Sequence, residues 1–387
     1  MADTSCAHYE PNGWTQWPDY PWLSYQFRRV LGETQEGGGA ISECFMAASK
    51  IDPSNVETWY KEWNTIGAAN EDRGNIAAKN GNFETAKNCW LRATNYYRSA
   101  EFWLSPDDPR RLETFTRCEN SFTKASKYFF WQTERVEIPY EAGKVLYAYY
   151  IKAKDGSQKT PVLISFGGLD SFKEELFFMV ARGALKRGIS CLLVDGPGQG
   201  ATLRKEKIPT RYDWEFPVGK CIEYLSKRDD VDMDHLALSG SSLGGYYAAR
   251  AGSMDNRIKA TISHGAVWSI YDLWKDRDED YGLAMHMKWV FNKKSVKEVI
   301  EEGKKFTLEG VLKNMKGKYL ILQGGNDFIS VTQAQKVFDY AKENGIDVTL
   351  KVLNPTETGA EHCQHDNPTI GEEYMMDWLV GALKGKE

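Results

Sequence analysis

Apolar positions along this chain change rhythm part-way. From Ser54 to Ala100 they recur every three or four residues, as Val56, Trp59, Trp63 and Ile66 and then Ala86, Trp90, Ala93, Tyr97 and Ala100, which predicts two amphipathic helices broken at Asn80-Gly81-Asn82. One such pair cannot bury its own face, and no further copies follow it, so it must pack on something else. Another helix is expected to start near Pro109 and to carry Leu112, Phe115 and Phe122 toward the same neighbour. Residues 1–134 therefore read as an all-helical domain. Eight of the thirteen tryptophans fall in it, a large apolar surface in need of cover.

After Thr133 the period shortens. Val136 to Tyr140 and Val145 to Ala153 read as an antiparallel pair of strands turning at Glu141-Ala142-Gly143. Next come short apolar runs at Val162–Phe166, Cys191–Val194, Leu236–Leu238, Ala260–Ile262, Tyr319–Leu322 and Val348–Leu353, as expected of strands buried on both faces of a parallel sheet. Helical stripes lie between them: Leu176, Phe177, Val180, Ala181, Ala184 and Leu185 in one, and Tyr374, Trp378, Leu379 and Leu383 in the last. Strand alternating with helix predicts an α/β domain over 135–387 with a doubly wound, mostly parallel sheet. The fifty or so residues 267–315 interrupt that alternation and read as a helical cap inserted over the carboxyl edge.

Composition narrows the function. With 387 residues the chain exceeds one small core, and 42% hydrophobic against 27% charged residues is a soluble, globular mixture. A net charge of −5 gives no basic footprint for nucleic acid, and no apolar run is long enough to span a membrane. The start Met1-Ala2-Asp3-Thr4-Ser5-Cys6 lacks the basic and apolar segments of a secretion signal, so a cytoplasmic protein is expected. Seven cysteines without a C-x-x-C pair predict free thiols, with neither a zinc site nor a disulfide framework.

The chemistry centres on Leu236 to Arg250, where an apolar run passes into a helical pattern through Gly240-Ser241-Ser242-Leu243-Gly244. This is G-x-S-x-G. A strand turning straight into a helix strains the central residue and leaves no room for side chains two positions to either side, so Ser242 is the expected nucleophile and Ser239 and Ser241, lacking the flanking glycines, are not. The Leu243 N–H would supply half of an oxyanion hole. The other half is expected from Gly168 or Leu169 in Phe166-Gly167-Gly168-Leu169-Asp170. A serine hydroxyl needs a base, and the base a partner that fixes its tautomer; with this elbow the chain order is Ser, acid, His. Asp327, in Gly324-Gly325-Asn326-Asp327, fits the acid. His362 is preferred as base over His365, which reads as a solvated loop residue beside Asp366. Asp170, at the mouth of the site, either acts on substrate or caps a turn. His264 either lines the pocket as a substrate-binding group or is structural. Ser171-Phe172-Lys173-Glu174 has the form of a capping box, making Glu174 structural. Asp195-Gly196-Pro197-Gly198-Gln199-Gly200 lacks nucleotide-loop spacing and reads as a tight turn.

The segments 167–175, 195–200, 240–245 and 361–363, taken in order, resemble the α/β-hydrolase group that contains 2,6-dihydroxypseudooxynicotine hydrolase, the fermentation-respiration switch proteins and fungal polyketide-shortening hydrolases. The resemblance covers the whole chain, including a helical N-terminal domain. It implies Ser242, Asp327 and His362 as a triad and an acidic residue at position 170 that takes part in the reaction. The implied reaction is hydrolysis of a carbon–carbon bond next to a ketone in a β-diketone-like, acyl-aromatic or polyketide substrate. A carboxylesterase or thioesterase with the same triad is the alternative, and a non-catalytic regulatory module a third. A small-molecule substrate, no metal or organic cofactor, no membrane or nucleic-acid partner, and an assembly compatible with a homodimer complete the expectations.

Overall fold

The computed structural model describes residues 9–10, 13–154 and 158–384. The start Met1 to Cys6 lies outside the described residues. Helices α1 (Pro21–Gly32), α2 (Ile41–Ala48), α3 (Val56–Lys79), α4 (Phe83–Ala100) and α5 (Pro109–Ser126) form the N-terminal part. The α3/α4 pair breaks at the expected place. Asn55 and Asp108 cap α3 and α5 by accepting backbone N–H bonds from Glu57 and Arg110, and Pro109 occupies the first turn of α5, where no N–H is needed. Trp59 and Trp63 are fully buried and pack on each other, on Phe27 and on Tyr96. Leu112 departs from expectation: it is 47% exposed, while Phe115 and Phe122 alone of that stripe reach the core.

The main sheet has eight strands: β1 (Thr133–Pro139), β2 (Val145–Ile151), β3 (Thr160–Phe166), β4 (Ser190–Asp195), β5 (Val231–Ser241), β6 (Ile258–His264), β7 (Lys318–Gly324) and β8 (Val348–Leu353). Their order is β8-β7-β6-β5-β3-β4-β2-β1. From β8 to β4 every pairing is parallel, and β2 joins β4 and β1 antiparallel. The apolar runs are buried on both faces. Val162, Ile164, Leu192, Val194, Leu236 and Leu238 point into one half of the core, and Leu163, Leu193, Ala237, Ile262 and Leu322 into the other. Strand order reverses at β3, with β4 added on one side of it and β5 on the other, so a crevice opens beyond the carboxyl ends of β3 and β5. Phe166, Ser241, His264 and Gly324 all end strands at that edge. Helices Ile270–Trp274, Ala284–Phe291 (here α6) and Val296–Gly303 fill the interval between β6 and β7 as the expected insertion. Among the described residues no helix is long and apolar enough to cross a membrane.

The N-terminal helices lie against the sheet through buried charge as well as aromatic rings. Lys173, wholly buried, has its ammonium 2.9 Å from Glu119 of α5, 2.9 Å from Glu174 and 3.0 Å from Asp195. Phe122 of α5 packs on Tyr149 and Phe177. A chain beginning at Thr133 would leave Lys173 short of a carboxylate and expose those rings, so it is expected to aggregate or to lack activity. Size-exclusion chromatography with a turnover assay checks this; a monomeric, fully active fragment would make the helices a separable unit.

Candidate active site

Ser242 sits between β5 and the helix Leu243–Met254 with φ 61° and ψ −124°, a left-handed conformation that costs a non-glycine residue of order 1–3 kcal/mol. The strain is held on every side. A Cβ on Gly240 would collide with the Gly244 carbonyl oxygen, and one on Gly244 with that of Gly167. The Ser242 N–H donates to the His264 carbonyl at 2.7 Å and its own carbonyl accepts from Gly245 at 2.8 Å. Neither neighbouring serine competes: Ser239 Oγ donates to Ser165 Oγ at 2.9 Å, and Ser241 Oγ lies 3.4 Å from His264 Nδ1, both buried.

The loops after β3, β7 and β8 converge on this turn. A Cβ at Gly168 would lie 2.7 Å from Ser242 Cβ and 3.1 Å from its Oγ, so only a glycine lets the β3 loop come so close. The Gly168 N–H donates to Ser171 Oγ at 3.1 Å, which leaves Leu169, of the two expected donors, to face a ligand. Leu243, first residue of its helix, offers an N–H without an intrahelical acceptor. After β7, Asp327 Oδ1 accepts from the Ile329 N–H at 2.7 Å and from His362 Nδ1 at 2.6 Å. That bond fixes the tautomer and leaves Nε2 of His362 free of Asp327, 3.6 Å from the Cys363 thiol. A side chain at Gly265 would touch Ser242 Cα at 3.6 Å and Cys363 Sγ at 3.9 Å, so the histidine loop and the elbow pack on one residue. Asp366 holds that loop by accepting from the N–H groups of Gly359 at 2.7 Å and Glu361 at 3.2 Å. Burial pushes the His362 imidazolium pKa down, and the Asp327 charge outweighs it and holds the value well up.

Other expected residues stand elsewhere in the arrangement. His264 is buried behind the elbow, with Nε2 2.5 Å from Gln364 Oε1 and Nδ1 on Ser241, so no ring nitrogen is left for substrate; burial lowers its pKa to about 4 and keeps it neutral. His365 is not a solvated loop residue: it is 3% exposed and meets the edge of Tyr25. Asp170 pairs with Arg29 of α1 at 2.8 Å. Burial opposes its ionisation, but the Arg29 charge holds its carboxyl below the usual range. The capping box does not form. Ser171 Oγ faces Gly168, the Lys173 N–H goes to Asp195 Oδ1 at 2.7 Å, and Glu174 is a buried partner of Lys173 and of the Tyr149 hydroxyl.

Two contributions escape the sequence patterns. Gln199, in the stretch read as a tight turn, donates through Nε2 to the carbonyls of Gly167 at 2.6 Å and Gly168 at 3.1 Å, and so holds the loop after β3 in place. Its amide oxygen accepts from the Gly196 N–H at 3.0 Å. The roof comes from α1. Trp22 meets the edges of Tyr281 and Phe328, Tyr25 meets Phe328, and Phe328 lies over the His362 ring at 4.0 Å between centroids. The small cavity at Ser242 is accordingly apolar, with Leu169, Leu273, Trp274, Tyr281, Leu283 and Phe328 around it. A larger groove, about 860 Å³, runs past Trp131, Leu185, His235 and Leu383 and includes none of Ser242, Asp327 and His362. Among the described residues no group of three His, Cys, Asp or Glu side chains is placed to hold a metal ion.

Residues 54–302, nearly two-thirds of the chain, match the family model described as Esterase FrsA-like. The chain belongs to the FrsA-like esterase family. Within the α/β-hydrolases it is 31% identical to Hydrolase LUC6 of Fusarium sp over 377 residues, spanning 87% of this chain and 88% of that one. It is 35% identical to the 20-hydroxy-prefusarin hydrolase FUS2 of Gibberella moniliformis over 266 residues, 66% of this chain and 63% of the relative. The fold is shared with the crystal structure of 2,6-dihydroxy-pseudo-oxynicotine hydrolase, at a TM-score of 0.78 and 24% identity, over 91% of this chain and 95% of that one. The FrsA-like chain is thus an α/β-hydrolase with a mostly parallel eight-stranded sheet and a helical N-terminal region.

Proposed function

We propose that this FrsA-like hydrolase cleaves a carbon–carbon bond next to a ketone in a β-diketone-like or acyl-aromatic substrate, with Ser242, His362 and Asp327 as its triad. The observation that carries the reading is the strained Ser242 elbow with an Asp327-oriented imidazole on the adjoining loop. His362 Nε2 takes the hydroxyl proton as Ser242 Oγ attacks the carbonyl carbon. Catalytic hydrogen bonds of this kind are often loose without substrate and tighten when it binds. The oxyanion rests on the N–H groups of Leu243 and Leu169. The carbon–carbon bond then breaks, its electron pair leaves on the enolate fragment, and His362 returns the proton to that carbon. Water, deprotonated by His362, releases the acyl group from Ser242.

The aromatic, enclosed surroundings support a flat conjugated substrate and keep water from the departing carbanion. Asp170, ion-paired and ionised at neutral pH, is assigned to holding Arg29 and the oxyanion loop rather than to proton donation. A carboxylesterase with the same triad is the second reading, favoured by the esterase description of the family. Turnover of 1-phenylbutane-1,3-dione and p-nitrophenyl acetate, with Asp170→Asn on both, separates them. Ketone and carboxylic acid should form from the diketone, and the variant should lose activity on both substrates alike. An enzyme that cleaves the ester and leaves the diketone intact is an esterase. A loss of ~10² or more confined to the diketone would return Asp170 to acid–base duty.

A further inference from the structure

A second, polar cavity shares Leu169 with the Ser242 cavity. It lies where α4, α5, the cap helix α6 and the loop Leu169–Phe172 meet, and Arg98, Arg111, Asp170, Arg204, His286 and Trp289 are among its lining residues. At about 10 Å³ it has room for a water-sized group and little more. Most of its charges are already matched. Asp170 has Arg29, while Glu101 holds both Arg111, at 3.2 Å, and Arg204. Arg111 and Arg204 also lie over the Trp289 ring.

Two lining groups are not matched. His286 is 1% exposed, stacks on Phe102 at 4.4 Å, and has no hydrogen-bond partner on either ring nitrogen. Arg98 is 2% exposed, and its two terminal nitrogens have none either; its Nε alone is engaged, 3.3 Å from Asn95 Oδ1 and 3.7 Å from Glu175. Buried donors without partners cost about 1–3 kcal/mol each, more when charged, so two in one cavity call for an occupant. Charge gives the occupant its sign. Arg29, Arg98, Arg111 and Arg204 stand against the carboxylates of Asp170, Glu175 and Glu101, four cations to three anions. Burial pushes the neighbouring Glu33 carboxyl well above the usual range, and Glu33 is not among the residues that line the cavity. His286 is held neutral by burial and by Arg111, and offers one N–H donor.

We infer that this cavity is a subsite for one ionised oxygen of the substrate, from a carboxylate or an enolate, received by Arg98 and His286 on the far side of Leu169 from Ser242. The inference rests on the reading of Ser242 as the reaction centre, and it narrows the substrate class to compounds that carry an acidic oxygen beside the acyl group. Cleavage would then start from an anchored anion, with the oxyanion loop between anchor and nucleophile.

The test is direct binding of benzoate and of its neutral isostere benzamide to the full chain, by titration calorimetry. Benzoate should bind at least ~10-fold tighter than benzamide, and His286→Leu and Arg98→Met should each weaken benzoate by ~10-fold or more, as expected for hydrogen bonds to a charged group. Thermal melts report whether each variant folds. His286 makes no hydrogen bond to lose, so His286→Leu decides the matter if Arg98→Met does not fold. Equal affinity for benzoate and benzamide, or an unchanged benzoate affinity in His286→Leu, overturns the subsite and leaves a water pocket only. Binding is read without turnover, so a protein that cleaves neither ester nor diketone would refute the hydrolase reading by a separate result.

Discussion

Ser242→Ala is expected to lower kcat by ~10³-fold or more on any substrate the enzyme turns over, with little change in stability. Removing a triad nucleophile leaves only the oxyanion hole and binding to accelerate the reaction. Alanine keeps the Cβ and the left-handed backbone at φ 61°, so the elbow is as strained as before and the loss is chemical. A fluorophosphonate should place a single label, on Ser242. The neighbouring serines are poor competitors because Ser239 is tied to Ser165 and Ser241 faces His264 within the buried layer. Peptide mapping of the labelled protein checks the site. A label on Ser241 or Ser239, or an alanine variant of full activity, would end the triad reading.

The elbow was legible because it depends on residues within two positions of each other: Gly240 and Gly244 are there to avoid collisions that local geometry dictates. The parallel strands were legible for a similar reason, as runs such as Cys191–Val194 must be apolar on both faces. Order along the chain then placed Asp327 and His362 after the right strands. What stayed hidden depends on partners distant in sequence. Ser171 and Glu174 have the spacing of a capping box, but Asp195, beyond the next helix, takes the Lys173 N–H and turns Glu174 inward. The partner of Asp170 is Arg29, 141 residues away on a helix that no motif ties to the site. Gln199 stood in plain view within a glycine-rich motif, but its role is to hold two carbonyls of another loop. By sequence His365 reads as solvated because its neighbour Asp366 is charged, whereas Asp366 turns back onto its own loop and α1 covers the ring. Leu112 fitted its helix's stripe by spacing, but the packed arc is too narrow to reach it.

Activity and stability should move in opposite directions with pH at His362. The base must be neutral to take the Ser242 proton. Burial alone would make neutrality easy, but Asp327 at 2.6 Å raises the pKa to about 10 in the free enzyme. The acidic limb of kcat/KM is therefore expected above the ordinary value of about 6.5, with activity still rising on the alkaline side of neutrality. For stability the same shift has the other sign. A pKa raised on folding means that the folded state binds the proton more tightly, so the contribution is complete below about pH 6.5 and is lost as pH climbs through about 10. Asp327→Asn separates this pair from the other groups that titrate at high pH. Without the carboxylate, burial in the ring-lined pocket is no longer opposed, and the limb should move below the wild-type position. Asparagine can also present its amide N–H to Nδ1 and select the wrong tautomer, so kcat should fall by ~10⁴-fold, the size of loss this substitution brings in serine triads. The measurements are kcat/KM profiles and thermal melts of both proteins from pH 6 to 10. A limb at the same pH in both, or a stability difference between them that does not shrink as pH rises, would mean that Asp327 does not set the charge of His362.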